Sequence, residues 1–182
     1  MSAIYSFHLQ SGDGRLSLPS KLVLHQRADE SDDIILLKIL GYLLLYRDRL
    51  QVEPRLHDKD IHLVPHLLQM DFELHPALWA ECGECEPKRL KKIAIKVPDA
   101  EIWVLRESPE AAENVVRIME KQKLRRSRYH VVGFDPEMFA ELRSHLKPRN
   151  EVFWVGAQFE PPTLSFDFNG LWFEASFTHL KY

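Results

Sequence analysis

The segment LVPHLLQMDFELHPALWAECGECEPKRLKK, Leu63 to Lys92, decides the reading of this chain. An apolar strand pattern occupies 63–72, and the turn-rich Glu73-Leu74-His75-Pro76 follows. A second strand, 77–83, carries Glu81 in its middle. A basic helix, 87–95, then opens on Pro87, a residue favoured at the first helical position. An ionised Glu inside an apolar strand is costly unless it is paired or holds a metal. The alternative is a Glu at the strand's end, facing solvent. If Phe72 lies opposite Ala77, paired positions sum to 149 and Glu81 faces Leu68. The two-residue side-chain period then sets His66, Leu68 and Met70 on the face of Trp79, Glu81 and Gly83, with Asp71 on the other face at the tip. A bulge would reverse that assignment.

Outward from the hairpin, the chain alternates strands and helices. Ile4 to Gln10 alternates like a strand, Ser11-Gly12-Asp13-Gly14 is a turn, and Arg15 to Val23 is again extended. Acids at 29–33 precede a helix from Asp32 to Arg49 that is apolar almost all round and therefore buried on most sides. Residues 50–62 read as a polar connection or a short helix. After the hairpin and its helix come a strand at 101–105, a helix at 109–124 and a strand at 129–133. A helix follows, capped by Asp135 and ending near Lys147-Pro148, then a strand at 151–157. Two strands, 164–168 and 171–177, flank Asn169-Gly170, the preferred type I′ pair. This order predicts a single α/β domain over 1–182: three layers, with a central mixed sheet flanked by helices.

Of the 182 residues, 45% are hydrophobic and 28% charged, the balance of a globular domain long enough for a full core. A net charge of -3 gives no bulk attraction to nucleic acid, so any such binding needs a local patch. The longest apolar run, Ile34 to Tyr46, is 13 residues interrupted by Lys38, against roughly 20 needed to span a bilayer. Two cysteines and no basic-then-apolar leader predict a reducing cytoplasm and no membrane partner.

The hairpin and helix resemble the PD-(D/E)XK nuclease fold, in which an Asp on one strand and a Glu-x-Lys on the next hold a divalent metal. Here Pro65-His66 and Glu81-Cys82-Gly83 occupy those places, 15 residues apart from His66 to Glu81. Within that superfamily the chain resembles the YaeQ family. The likeness is carried by IYSFHL (4–9), His25 with Glu30-Ser31-Asp32-Asp33, ILGYLLLY (39–46), Trp79 to Glu84, and Pro87-Lys88-Arg89-Leu90. It implies a restriction-endonuclease-like core with an acidic pocket formed by the hairpin and the first helix. Phosphodiester hydrolysis on such a core uses a divalent ion, Mg²⁺ or Mn²⁺, to polarise phosphate and activate water. The ligands would be Glu81 and Glu30 with His66 beside them. His66 in place of Asp tilts the site toward softer ions. Gly83 in place of Lys removes the usual cation, for which Lys88 is the substitute. The resemblance thus leaves two readings open: a metal-dependent phosphodiesterase on nucleic acid with an altered site, or a catalytically inactive module binding nucleic acid or a protein partner, a second copy included.

Lys88, Arg89, Lys91 and Lys92 sit near a helix start, where cations oppose the helix dipole, so phosphate contacts would explain them. A solvated face is the plain alternative. Lys121, Lys123, Arg125, Arg126 and Arg128 close the next helix, where the dipole accounts for them. Cys82-Gly83-Glu84-Cys85 is a C-x-x-C between strand and helix, the position of a redox or zinc motif. Packing is the simpler role, because Cys82 points away from the Glu81 face. His57 and His62 are placed to approach the pocket or lie on the surface, and His25 to bond the acids that open the long helix.

Overall fold

Two sheets, not one, organise the chain, and a helix is buried between them. The computed structural model describes residues 3–54 and 63–182. The elements begin with β1 (Ile4–Ser11), β2 (Lys21–His25), α1 (Asp32–Leu44), β3 (Gln51–Val52), β4 (Leu67–Met70) and β5 (Pro76–Cys82). They continue with α2 (Pro87–Lys96), β6 (Glu101–Arg106), α3 (Pro109–Lys121), β7 (Tyr129–Gly133) and α4 (Pro136–His145). The chain ends with β8 (Arg149–Phe159), β9 (Pro162–Phe168), β10 (Leu171–Ser176) and β11 (Thr178–Lys181).

The first sheet runs β10-β9-β8-β1-β2 and the second β11-β7-β6-β5-β4-β3. Both are mixed. The pair β1–β8 is parallel in the first, and β5–β6 and β6–β7 in the second. The parallel strands β5, β6 and β7 are linked through α2 and α3, the helical crossovers that parallel neighbours require.

Residues of α1 and α4 share one core with Phe7, Leu24, Trp154 and Phe166 of the first sheet and Leu67, Ala80, Cys82 and Leu105 of the second. The opposite face of the second sheet packs Leu68, Trp79, Ile102 and Val131 against Leu90 and Ile93 of α2 and Val115 and Met119 of α3. The layers are therefore sheet, helix, sheet, helix. The expectation of one central sheet in three layers is corrected in this respect, while the α/β character holds. Alternation shows that a strand buries one face; it does not show which sheet the strand joins. Among the described residues, no helix is long and apolar enough to cross a membrane.

The central hairpin is shorter than expected. Its first strand is confined to β4, and Leu67 pairs Ala80, Leu68 pairs Trp79, and a shift follows between Gln69 and Met70. Paired positions thus sum to 147, not the expected 149. The error is an even number of residues, so the faces survive: Glu81 shares its side with Trp79 and His66, and Cys82 turns to the other core. The expected helix over 32–49 ends at Leu44, with Arg49 in the left-handed region at φ 65°. At the terminal hairpin Asn169 and Gly170 have φ of 52° and 86°, as a type I′ turn demands.

Candidate functional site

Three carboxylates gather where β4 begins beside the end of β5. His66 precedes β4, and its backbone N–H donates to the Ala80 carbonyl at 3.0 Å, locking it beside Glu81. Its ring Nδ1 accepts the Cys82 N–H at 3.0 Å. That bond occupies the Nδ1 lone pair, so the ring presents Nε2–H to its surroundings. Glu30, on the turn before α1, places Oε1 3.6 Å from His66 Nε2. Glu81 Oε2 lies 3.9 Å from His66 Nδ1. The structure therefore brings Glu30, His66 and Glu81 together, with the imidazole between the acids.

Two cations serve these acids: Lys38 is shared by Glu30 and Glu53, and Arg89 pairs Glu81. Lys38, in the middle of α1 and fully buried, donates to Glu30 Oε2 at 2.7 Å and to Glu53 Oε1 at 2.9 Å. Glu53 follows β3, where its N–H bonds the His66 carbonyl at 2.9 Å. Glu81 is 3% exposed, and among the described residues its carboxylate accepts three hydrogen bonds. Trp79 Nε1 donates at 2.7 Å, Arg89 Nε at 2.9 Å and Arg89 Nη2 at 3.0 Å. Arg89 also reaches the Val64 carbonyl, which fixes the guanidinium across the carboxylate. The chain of contacts reads Glu53, Lys38, Glu30, His66, Glu81, Arg89.

Burial alone would raise the Glu30 carboxyl. The His66 and Lys38 contacts and the Arg27 amide outweigh it and hold the group at about 2. The His66 contact, at 3.6 Å, is a long one, and the Lys38 bond at 2.7 Å and the 3.1 Å Arg27 N–H bond act with it. Among the described residues, buried Glu30 Oε1 has no hydrogen-bond partner.

A divalent ion fits this arrangement poorly. Mg²⁺ and Mn²⁺ want several free oxygens in octahedral array. The oxygens of Glu81 face Arg89 and Trp79, Glu30 Oε2 faces Lys38, and His66 offers a proton where a ligand needs a lone pair. Among the described residues, no three His, Cys, Asp or Glu side chains converge as a metal set.

The YaeQ protein family model matches residues 2–154. The chain belongs to the YaeQ family. The solved YaeQ protein of Xanthomonas axonopodis pv. citri is 17% identical, with a TM-score of 0.70 over 100% of this chain and 99% of that one. The YaeQ protein of Pseudomonas syringae is 16% identical, with a TM-score of 0.74 over 100% and 97%. At such identity these YaeQ structures speak for the fold alone. No curated protein matches the sequence.

The remaining expected residues of this YaeQ chain are dispersed. Lys88, Lys91 and Lys92 are exposed on α2, and Arg89 alone of the four turns in to Glu81. Gly83, at φ 85°, could not take the missing Lys without strain: a Cβ there would come within 2.4 Å of Ile34 Cδ1. Cys82 and Cys85 lie in different cores on opposite faces of the second sheet, both as free thiols. Burial pushes Cys85 up to about 12 and Cys82 well above its ordinary value, the reverse of a reactive thiolate. His25 gives its backbone N–H to Glu53, while the acids opening α1 are bonded by Tyr5, Gln26 and Arg143. Arg128 of the second basic cluster caps the Ala94 and Ala100 carbonyls at the end of α2. His57 and His62 lie outside the described residues.

Sequence reasoning missed Lys38, Glu53 and the true partner of Glu81. Lys38 did carry a signal: a single cation within a helix apolar all round must find a buried acid.

Proposed function

We propose that this YaeQ protein is a restriction-endonuclease-like module that binds the phosphodiester backbone of nucleic acid without cleaving it. The observation that carries this reading is the Glu81 carboxylate, held by Arg89 and Trp79 where the nuclease superfamily would hold a metal. Arg89 supplies the positive charge an ion would bring, and Lys38 does the same for Glu30 and Glu53. Lys88, Lys91 and Lys92 stand exposed on the same helix as Arg89 and are the phosphate contacts in this reading.

One observation favours the rival, a Mg²⁺- or Mn²⁺-dependent phosphodiesterase using Glu81, Glu30 and His66: Glu30 Oε1 accepts no hydrogen bond among the described residues. Two measurements separate them. Calorimetric titration of Mn²⁺ into wild type and Glu81→Gln should show no site in either. Filter binding of duplex DNA and of RNA should weaken with salt, and Lys88→Ala with Lys92→Ala should flatten the log–log slope by roughly 1.8. Metal-dependent cleavage abolished by Glu81→Gln would establish the hydrolase instead. Absent or salt-indifferent binding would remove the nucleic-acid reading and leave a protein partner.

A further inference from the structure

A second surface, on the first sheet, stands apart from the Glu81 site. Strand β10 is an edge: it pairs β9 on one side, and no strand among the described residues lies on the other. The type I′ turn makes Phe168 and Leu171 a hydrogen-bonded pair, and such pairs recur at every second residue. The Phe177 N–H to the Pro162 carbonyl, 3.1 Å, continues that alternation. The outward-pointing backbone N–H and C=O groups of β10 therefore belong to Trp172, Glu174 and Ser176. An exposed row of this kind is a template for another strand.

Beside this edge lies a groove of about 840 Å³, walled by β10 and α4. Its described charged lining is acidic: Asp135, Glu137, Glu141 and Glu174, with no Lys or Arg among the described lining residues. His145, one turn on, stands 3.7 Å from Glu141. At the mouth Trp172 is 56% exposed. Trp172 and Glu174, two residues apart on β10, share one sheet face, so a cation there gains the ring and a carboxylate together.

We propose that β10 and α4 form a docking groove for an extended, lysine- or arginine-bearing segment of a partner protein, which adds to the first sheet as a sixth strand. Backbone hydrogen bonds to Trp172, Glu174 and Ser176 supply the register. Alternate basic side chains meet Glu137 and Glu141 on one face and Trp172 on the other, the two-residue period of a strand matching the two walls. A second copy of this chain is a poor occupant. Antiparallel pairing of β10 with itself about Glu174 would set like charges directly opposite.

The test uses the intact protein and a labelled peptide of about eight residues in which Lys-Arg pairs alternate with Val-Val pairs, so that cations fall on both faces of the added strand. Fluorescence anisotropy should report binding. Glu141→Lys with Glu174→Lys should weaken it by at least about tenfold, and so should N-methylation of the peptide's alternate amides. Both substituted residues are exposed, so circular dichroism and melting should match wild type. Amide exchange at Trp172, Glu174 and Ser176 should slow on binding. Equal binding of a glutamate-for-lysine peptide would overturn the proposal. So would indifference to N-methylation, absence of binding, or a wild-type dimer closed through β10.

Discussion

Replacing Lys38 by methionine asks whether the buried charges are a structural lock. The ammonium lies 2.7 Å from Glu30 Oε2 and 2.9 Å from Glu53 Oε1, with no solvent exposure of its own. At an effective dielectric of about 20, each contact is worth about 6 kcal/mol of gross attraction, much of it cancelled by desolvation. Methionine keeps the volume and removes the charge, leaving two carboxylates facing a neutral wall. Breaking a buried pair this way costs about 3–5 kcal/mol. Urea unfolding at pH 7 should show that loss as a lower midpoint with an unchanged slope.

The loss should depend on pH. In the wild type the Glu30 carboxyl is held down from 4.5 to about 2. Its contribution is therefore complete above the unfolded value and disappears as pH falls through the folded one. In the variant the ammonium is gone and burial raises the same carboxyl, so it takes up a proton earlier. The gap between the two proteins should narrow steadily as pH drops from 7 toward 4. Adding Glu30→Gln and Glu53→Gln to Lys38→Met should recover most of the stability, because no charge is then stranded. A gap under about 1 kcal/mol at pH 7, or one as wide at pH 4 as at pH 7, would refute the argument.

Arg89→Met should cost about 2–4 kcal/mol, since Glu81 would stay buried with Trp79 as its remaining donor, and Arg89→Lys should recover only part, lacking the two-point grip; chemical denaturation of both variants checks this. Gly83→Ala should destabilise by about 1–3 kcal/mol, combining a left-handed backbone with a clash on Ile34, and Ile34→Ala should relieve the second part alone. Native protein at pH 8 should react slowly with a thiol reagent, because both cysteines are buried and pushed to high values; urea should release both thiols at once. Fast native labelling of Cys82 would contradict its place in the core.

Much of the central hairpin was legible because its physics is local. Alternation places side chains by parity, so an error of two residues in register left His66 and Glu81 facing the same way. The cause of that error is the shift between Gln69 and Met70, with Pro76 drawn in opposite Met70. No residue there announces it. The two-sheet architecture was hidden for a different reason. Strands β1 and β2 come from one end of the chain and β8, β9 and β10 from the other, and they pair across more than a hundred residues. Periodicity carries no information about partners so distant. The edge strand β11, only Thr178–Lys181, lies beyond the last strand expected, 171–177; the chain leaves the first sheet at Phe177 and joins the second.

The cations show where the legible part of the site stops. Arg89 was grouped with Lys88, Lys91 and Lys92 as one basic patch, yet helical spacing separates them. Arg89 precedes the buried Ile93 by four residues and Val97 by eight, so it shares their inward face. Lys88, Lys91 and Lys92 fall on the outward side and are exposed. Spacing alone could thus have marked Arg89 as the residue that meets an acid, and left Lys88 as a surface cation. Lys38 is the harder case. Its burial follows from the apolar residues on either side, which demand a partner acid nearby. The choice of Glu30 and Glu53 depends on the turn before α1 and on the short strand β3 returning beneath it. That pairing is a property of the folded chain. It makes the charge network a consequence of the fold as much as a site upon it, which is why stability, before activity, is the first quantity to measure.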